Sequence, residues 1–546
     1  MYRMLTILLL AASAIACTEP PPRADLLFHG GTILTMDPQR PVVETLVIRD
    51  GRIVALGDAT LKAHWQADEV RDLGGRTLMP GFDDAHIHVQ SYAPHHIPLM
   101  GVESIAELQD RVRAMAERVG PGAWVTGYGW SEDSLAEGRR PLRGDLDAAA
   151  PDNPVVLTRA GGHSAVANSV ALSLAEIDGN TPQPEGGVIE QDERGVPNGI
   201  IRERQELVTS LVPPATEAEL EASLLANLRA LLPLGITSLV HASERIERYP
   251  VWQRIYARHG DELPRAAVQV HWEGDAAMAA FRERVGNGDE RLRPGAIKIF
   301  ADGGFTGPAA FTKEPYVDQG DYRGYLNMPP EELEATIRAA HEAGWQVGIH
   351  AIGDAAIELV VEQLARTLEE MPRDDHRHYL NHFSMRPSDA TMDLMAEHGI
   401  AITQQPNFTY TLEGRYAANL DGWRLQHNNP VRSPMEHGVF VALSSDILPI
   451  GPMVGLYGAV TRRGKSGTVY GADEAITMDE ALRAYTHGGA FITFEEDFKG
   501  MLAEGLAADL IILPTDPRTL EGEAILAAQV DETFIDGRSL YRRATP

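Results

Sequence analysis

The stretch PEELEATIRAAHEAGWQVGIHAIGD (330–354) determines how this chain can fold. Its first fifteen residues have the apolar spacing of an amphipathic helix, and this helix is predicted to end at Gly344. The following residues, WQVGIHAIGD (345–354), are typical of a short buried strand. A helix, a glycine and a strand in this order indicate a parallel α/β architecture.

The same unit returns along the middle of the chain. Helical patterns at 217–235, 354–367 and 388–399 are each followed by a run that is typical of a strand. With this many units, a TIM-like (β/α)₈ barrel is favoured over an open sheet. Residues 81–490 form the predicted barrel and far exceed the ~250 residues typical of one. We therefore expect a large insertion, and the Gly/Pro-rich segment from about 121 to 215 is the candidate.

Both ends of the chain predict a second, smaller β-domain. ETLVIRDGRIVALG (44–57) has two alternating runs joined at Asp50-Gly51, which is a strong hairpin signal. Near the other end, DETFIDGRSLY (531–541) has the same character. We therefore expect residues 24–80 and 491–546 to build one small β-sandwich domain, with the barrel placed between them.

Composition limits the classes of function. The chain has 546 residues, with 44% hydrophobic and 23% charged residues, as in soluble globular proteins of more than one domain. The formal net charge is 48 − 78 = −30. Such an acidic surface repels phosphate backbones, so nucleic acid is not an expected partner. The sequence leaves the oligomeric state open, and an oligomer is compatible with it.

The first seventeen residues, MYRMLTILLLAASAIAC, have the pattern of a signal peptide. Arg3 supplies the positive charge, and the apolar segment that follows is too short to span a membrane. Cys17 stands where the acylated cysteine of a bacterial lipoprotein box stands, which predicts export and a lipid anchor in the periplasm or cell envelope. The alternative is simple secretion with Cys17 incidental. Since Cys17 is the single cysteine, neither a disulfide framework nor a thiolate metal site is expected.

Metal-binding side chains stand at the ends of the predicted strands. His86 and His88 share a face, because residues two apart on a strand point the same way. The C-terminal strand ends of such a barrel build its active site. The candidates at these ends are His86, His88, His350, His382 and Asp446. His241 also ends a predicted strand, and we leave it out because a single histidine is more often a core residue.

The stretch GAIKIFADGG (295–304) adds a lysine inside an apolar run. A buried ammonium is costly unless it is paired. Strand alternation gives Lys298 one face with Phe300 and Asp302. With the five residues above, Lys298 completes a set that predicts a metal site for two ions. Imidazole and carboxylate ligands favour zinc, with iron, manganese, cobalt and nickel as alternatives.

These motifs resemble those of the amidohydrolase superfamily, and most closely its amidohydrolase-3 group of N-substituted formamide deformylase-like hydrolases. The resemblance extends from about residue 24 to 541. The matching stretches are LMPGFDDAHIH (78–88), GDLDAAAPDNPVVLTRAGGHSAVANSVAL (144–172), PNGIIRE (197–203), IKIFADGG (297–304), IHAIGD (349–354), NH (381–382), SSD (444–446) and GLAADLII (505–512).

The resemblance implies a role for each candidate residue. His86 and His88 would bind the more buried ion, and His350 and His382 would bind the second. Lys298 would be carbamylated by carbon dioxide and would bridge both ions. An ammonium would be repelled by two dications, whereas a carbamate is an anion with two oxygens.

Asp446 would contact the first ion and act as the catalytic residue. Two such ions would lower the pKa of a bridging water, so that hydroxide for attack on a carbonyl carbon would be available near neutral pH. Asp446 then moves the proton to the leaving nitrogen. The expected reaction is hydrolysis of an amide- or formamide-like C–N bond, other than a peptide bond, in a small organic molecule. His163 is the substrate-binding candidate, as a donor to the substrate carbonyl; its alternative is a local structural role.

Two other functions remain open at this point. One is a mononuclear deaminase of the same superfamily, although such enzymes generally do not need the bridging lysine. The other is a non-catalytic lipoprotein that binds a solute with the same barrel. Metal analysis separates the three: two ions per chain favour the binuclear hydrolase, one ion the deaminase and none the solute binder.

Overall fold

The structure is a computed structural model, and it describes residues 21–132, 135–160, 164–305, 307–447 and 450–544. The predicted signal peptide and Cys17 lie outside these ranges. In the described ranges, no helix combines the length and the apolar character needed to cross a lipid bilayer.

The N-terminal segment forms the first part of an eight-stranded sheet. Asp50 and Gly51 join its second and third strands with φ of 51° and 74°. Left-handed backbone at both positions is what a two-residue hairpin turn needs. Its strands are β1 (Arg23–Leu34), β2 (Val42–Arg49), β3 (Arg52–Gly57), β4 (Gln66–Asp72) and β5 (Thr77–Pro80), with a 3₁₀ turn at Ala59–His64.

An inserted subdomain follows the first barrel strand, β6 (Phe82–Ile87). It has hydrophobic clusters of its own, separate from that of the barrel. Its six strands are β7 (His96–Pro98), β8 (Val125–Trp130), β9 (Val155–Arg159), β10 (Ser164–Ala167), β11 (Val188–Gln191) and β12 (Pro197–Arg202). Its helices are α1 (Ile105–Val119), α2 (Arg143–Ala149), α3 (Ser169–Leu174) and α4 (Glu206–Thr209).

The inserted sheet begins earlier than the segment from about 121 to 215 that the sequence indicates. Helix α1 begins at the N-cap Ser104 and packs on β7 and β8, not on the barrel. Its apolar face, with Leu108 and Val112, belongs to the core of the insertion. The sequence did not indicate that this helix belongs to the insertion, because its amphipathic pattern resembles that of any barrel helix.

Eight parallel strands then form the barrel that the sequence predicts. Their order is β6-β13-β14-β15-β16-β17-β18-β19. The strands after β6 are β13 (Ile236–Glu244), β14 (Arg265–His271), β15 (Leu292–Phe300), β16 (Val347–Ala351), β17 (Tyr379–His382), β18 (Ala401–Gln404) and β19 (Val441–Leu443).

Helices connect these strands and cover the outside of the barrel. The helix of the opening stretch begins with prolines at its N-terminus and ends before Gly344, whose φ is 78°. The first eight helices are α5 (Glu217–Arg229), α6 (Tyr249–His259), α7 (Asp275–Val285), α8 (Pro330–Glu342), α9 (Asp354–Glu370), α10 (Asp389–Glu397), α11 (Asn407–Thr411) and α12 (Glu413–Asn419). The next five are α13 (Gly422–Gln426), α14 (Arg432–Glu436), α15 (Pro452–Thr461), α16 (Met478–Ala484) and α17 (His487–Ile492); 3₁₀ turns lie at Leu232–Leu234, Gly260–Glu262 and Ala472–Glu474.

The barrel closes between its first and last strands. The backbone N–H of Asp446 donates to the carbonyl of His86 over 2.8 Å, and that of His88 donates to the carbonyl of Asp446 over 3.1 Å. The buried carboxylate of Asp84 accepts the N–H of Ser445 at 3.0 Å. Closure therefore sets Asp446, three residues after β19, beside His86 of β6 and His88 immediately after it.

The C-terminal segment completes the eight-stranded sheet that the N-terminal segment begins. Its order is β22-β21-β20-β5-β1-β2-β3, with β4 paired to β1. Asp536 and Gly537 form a second left-handed turn, with φ of 48° and 70°. A buried Arg265 at the start of β14 pairs with Asp509 at 2.7 Å and with Asp536, which ties this sheet to the barrel. The elements are β20 (Leu510–Leu513), α18 (Glu523–Ala527), β21 (Glu532–Ile535) and β22 (Arg538–Arg542), with a 3₁₀ turn at Pro517–Thr519.

Candidate metal centre

The six residues predicted to bind metal lie together at the C-terminal end of the barrel. They come from β6 and the residue after it, from β15, β16 and β17, and from the segment after β19. These elements are far apart in the sequence, but the C-terminal ends of all barrel strands lie at the same end of the barrel. The six residues are His86, His88, Lys298, His350, His382 and Asp446. His163 lies outside the described residues.

His86, His88 and Asp446 form the first half of the site. One potential ligand atom from each lies within 4.8 Å of the other two. The Nε2 atom of His88 is 3.3 Å from Oδ1 of Asp446, and that of His86 is 3.9 Å away. Asp446 has a φ of 59°, which is uncommon for a residue with a Cβ. This backbone turn places a carboxylate against two imidazoles.

His350 and His382 form the second half. Their ring centroids are 4.5 Å apart, and the ring of His382 is 4.8 Å from that of His86. His382 also has a left-handed backbone, with a φ of 79°. Two strained non-glycine residues in one site are typical of functional positions. The imidazoles of both halves therefore form a continuous cluster.

Two amide side chains orient the buried imidazoles. Nδ1 of His86 lies 2.6 Å from Oδ1 of Asn381, which also accepts the hydroxyl of Thr403. Nδ1 of His382 lies 2.8 Å from Oε1 of Gln405. Because both amide oxygens accept, each Nδ1 carries the proton and each Nε2 keeps its lone pair. Such partners fix ring orientation in metal sites.

Lys298 is the unusual member of the cluster. It is 3% exposed, and its Nζ has no hydrogen-bond partner among the described residues. Burial lowers its pKa to about 7, against a smaller opposing effect of Asp446. Lys499 shows what a buried lysine ordinarily requires: it contacts Asp83, Ser238 and, at 3.3 Å, Glu495. Lys298 has none of these.

The cluster fits divalent metal ions. Nε2 of His86 and Nζ of Lys298 are buried without a hydrogen-bond partner among the described residues, and both are potential metal-site atoms. Burial, reinforced by Lys298, lowers the pKa of His350 to about 3 and those of His86, His88 and His382 well below 6.5. Neutral imidazole is the form that binds metal. Four such rings and one carboxylate match a site for zinc or similar ions.

Asp302 is a buried residue next to the site that stabilises the surrounding backbone. Its carboxylate accepts the backbone N–H groups of Phe311, Ile352 and Gly353 at 2.9 to 3.1 Å. Burial raises its pKa to about 7. It lies 3.6 Å from Nε2 of His350. These contacts hold the ends of β15 and β16 together.

His241, which is not among the candidates, is buried in β13. Its Nδ1 accepts the N–H of Val89 at 3.3 Å, and its ring packs on Trp252 with centroids 4.7 Å apart. Sequence reasoning missed His271, which ends β14 and bonds to the Ser243 hydroxyl over 2.6 Å. The available signal was its position, since VQVH also closes a strand-like run.

Asn381 and Gln405 were also not predicted. Asn381 immediately precedes His382, but its side chain orients His86, which lies 295 positions away. No local pattern distinguishes such a residue from an ordinary buried amide.

Comparison with known proteins agrees with this geometry. The amidohydrolase family matches residues 69–541. The Bacillus subtilis (strain 168) protein YtcJ is 30% identical over 95% of this chain and 99% of its own length. N-substituted formamide deformylase from Arthrobacter pascens is 28% identical over 95% of this chain and 98% of its own.

A solved structure supports the same assignment. An uncharacterized metal-dependent hydrolase from Pyrococcus furiosus is 27% identical, with a TM-score of 0.68, and the match covers 90% of this chain and all of that one. The end-to-end family match, the closed parallel barrel and the histidine–carboxylate cluster lead to one identification. The chain belongs to the amidohydrolase family and is a metal-dependent hydrolase that acts on carbon–nitrogen bonds.

Proposed function

We propose that this enzyme hydrolyses a non-peptide amide- or formamide-like bond of a small organic molecule, with two divalent ions, preferably zinc, and a carbamylated Lys298. The observation that carries the proposal is the buried Nζ of Lys298, which has no hydrogen-bond partner within the described part of the chain and lies beside four imidazoles and Asp446. The similarity to N-substituted formamide deformylase supports a formamide-like substrate.

The modification of Lys298 follows from its surroundings. The neutral amine attacks the carbon of carbon dioxide, a C–N bond forms, and one proton leaves, so that the product is a carbamate anion. Burial favours the neutral amine because it disfavours the ammonium. The resulting anion has two oxygens and can hold two cations that the ammonium would repel.

The remaining residues divide between holding and proton transfer. When bound, divalent ions supply an activated water and a Lewis acid for the carbonyl oxygen. Burial raises the pKa of Asp446 to about 6, so its carboxylate can accept a proton near neutral pH. Asp446 then donates that proton to the leaving nitrogen. His86 and His88 would hold one of the ions, and His163 is proposed to donate to the substrate carbonyl.

Metal content and lysine mass test the proposal together. We expect two ions per chain, a mass increase of one carbon dioxide on the peptide that contains Lys298, and turnover within a panel of N-formyl, N-acyl and carbamate compounds. Lys298→Ala should lose the second ion and activity, with partial recovery in added acetate, because a free carboxylate can replace the carbamate. The exposed Lys62→Ala serves as the control. Full activity and both ions in Lys298→Ala would refute the mechanism, and a single ion in wild type would favour the deaminase alternative.

We also propose that the enzyme is exported and anchored through an acylated Cys17. The support is the sequence pattern of residues 1–17. Labelled palmitate should enter the wild-type protein in a bacterial host but not Cys17→Ser. Equal labelling of both proteins, or none of either, would leave simple secretion as the explanation.

A further inference from the structure

Phe300 ends β15 on the same strand face as Lys298. The Nζ atom of Lys298 lies 5.0 Å from the Phe300 ring centroid. On one side the ring meets His350 of β16, with centroids 5.5 Å apart, and on the other it meets His271 of β14 at 5.8 Å. Because these neighbours belong to the C-terminal end of the barrel, the partly exposed ring of Phe300 faces the site.

The ring has little freedom to move. His271 is itself held by Ser243 over 2.6 Å, and His350 is next to Asp302. Carbon atoms in contact lie about 3.5–4.0 Å apart. A separation of 5.0 Å between Nζ and the ring centroid therefore leaves no space for a further atom on the line between them. A substrate group that extends over Lys298 in this direction meets the ring.

The order of the strands shows which substrate group this is. Phe300 lies on the fourth barrel strand, and Asp446 follows the eighth, which closes against the first. Positions four strands apart lie opposite each other in a closed barrel of eight. If Asp446 protonates the leaving nitrogen, as the proposed function requires, the amine side of the substrate lies towards Asp446. The acyl side then lies towards Phe300.

We propose that Phe300 limits the acyl group of the substrate to formyl or acetyl. This inference rests on the proposed function and specifies its substrate class: small-acyl amides with a larger group on nitrogen. The aromatic face accepts a hydrogen or a methyl group on the carbonyl carbon. A longer acyl chain would have to displace a ring that three neighbours hold in place.

The test compares acyl length in wild type, Phe300→Ala and a control. The substrates are N-formyl, N-acetyl, N-propionyl and N-butyryl derivatives of one amine, with kcat/KM measured for the metal-loaded enzymes. We expect wild type to lose about tenfold or more between acetyl and butyryl, since a single methylene that does not fit changes specificity by such factors. Phe300→Ala should reduce this loss to about threefold or less. Phe440→Ala, a partly buried ring that stacks on Phe491 before β19, should keep the wild-type profile.

Binding of the product acids gives a readout that needs no turnover. Calorimetry with formate, acetate, propionate and butyrate should show that Phe300→Ala gains affinity for butyrate relative to acetate by about tenfold. If Phe300→Ala changes kcat/KM equally for all acyl lengths, the proposed role of Phe300 is wrong. The same holds if wild type is as active on the butyryl compound as on the formyl compound. Neither result affects the proposed function. If wild type hydrolyses none of the amides, the proposed function fails. The relative affinities for the acids then decide on Phe300, and an unchanged butyrate-to-acetate ratio in Phe300→Ala overturns the inference.

Discussion

Lys298→Met should stabilise the metal-free protein while it abolishes activity. Without metal and carbon dioxide, Lys298 is a buried amine that lacks a partner among the described residues. Methionine has a similar length and no polar atom. A buried polar group without a hydrogen bond costs free energy, and an apolar side chain of similar size avoids this cost.

The magnitude follows from the pKa of this lysine. Burial lowers it from 10.5 to about 7. At pH 7.5 the folded chain therefore holds a largely neutral amine, whereas the unfolded chain binds a proton. Three units between pH 7.5 and 10.5 correspond to about 4 kcal/mol of lost stability, at about 1.4 kcal/mol per unit. Because the unfolded chain binds this proton, the stability of the metal-free wild type should rise between pH 7.5 and pH 10.5. Lys298→Met should remove the part of this rise that comes from Lys298.

Lys499→Met is the matched control. It removes an equally buried lysine whose partners are Asp83 and Glu495, so Asp83 remains buried without its cation, while Glu495 keeps Arg293 at 3.5 Å. We expect a loss of about 3–5 kcal/mol for this variant. The assay is the thermal unfolding midpoint of chelator-treated protein in buffer free of carbon dioxide, at pH 7.5 and pH 9.5. If Lys298→Met lowers the midpoint as much as Lys499→Met does, Lys298 has a native partner and the reasoning is wrong.

Three further predictions concern orientation, acid stability and domain contact. Asn381→Leu should weaken zinc binding about 10- to 100-fold, because His86 loses the acceptor that orients it; competition with a chromophoric chelator measures this, and an unchanged affinity would contradict it. Metal-free protein should lose stability as the pH falls below 6.5, in part because burial, together with His376, Arg373 and His341, keeps His378 neutral in the folded state while the unfolded chain takes up a proton. This histidine contributes about 1.4 kcal/mol per pH unit, so His378→Gln should show a smaller difference in unfolding midpoint between pH 5.5 and 7.5. Arg265→Met should cost about 3–5 kcal/mol, since Asp509 and Asp536 lose their shared buried cation; calorimetry should show a lower midpoint, and no change would mean that this contact does not hold the terminal sheet to the barrel.

Local pattern was sufficient for much of the architecture. The helix–glycine–strand units predict the parallel barrel because each element carries its own periodicity and its own stop signal. The turns at Asp50-Gly51 and Asp536-Gly537 could also be predicted from the sequence, since left-handed backbone at two successive positions restricts the residue types. The beginning of the inserted sheet at His96 was not readable, because α1 has the same amphipathic pattern whichever core it covers.

The sequence by itself determined the fold class, the family resemblance and the identity of the candidate ligands, because these depend on residue type and spacing along one strand at a time. Only the tertiary structure decided how those residues meet. Closure of β19 on β6 brings Asp446 next to His88. Asn381 on β17 contacts His86, which lies 295 positions away in the sequence. The tertiary structure also distinguishes two buried lysines. Lys499 pairs with Asp83, whereas Nζ of Lys298 has no hydrogen-bond partner among the described residues. The reason is physical: burial and pairing are properties of neighbours in space, and a sequence lists only neighbours along the chain.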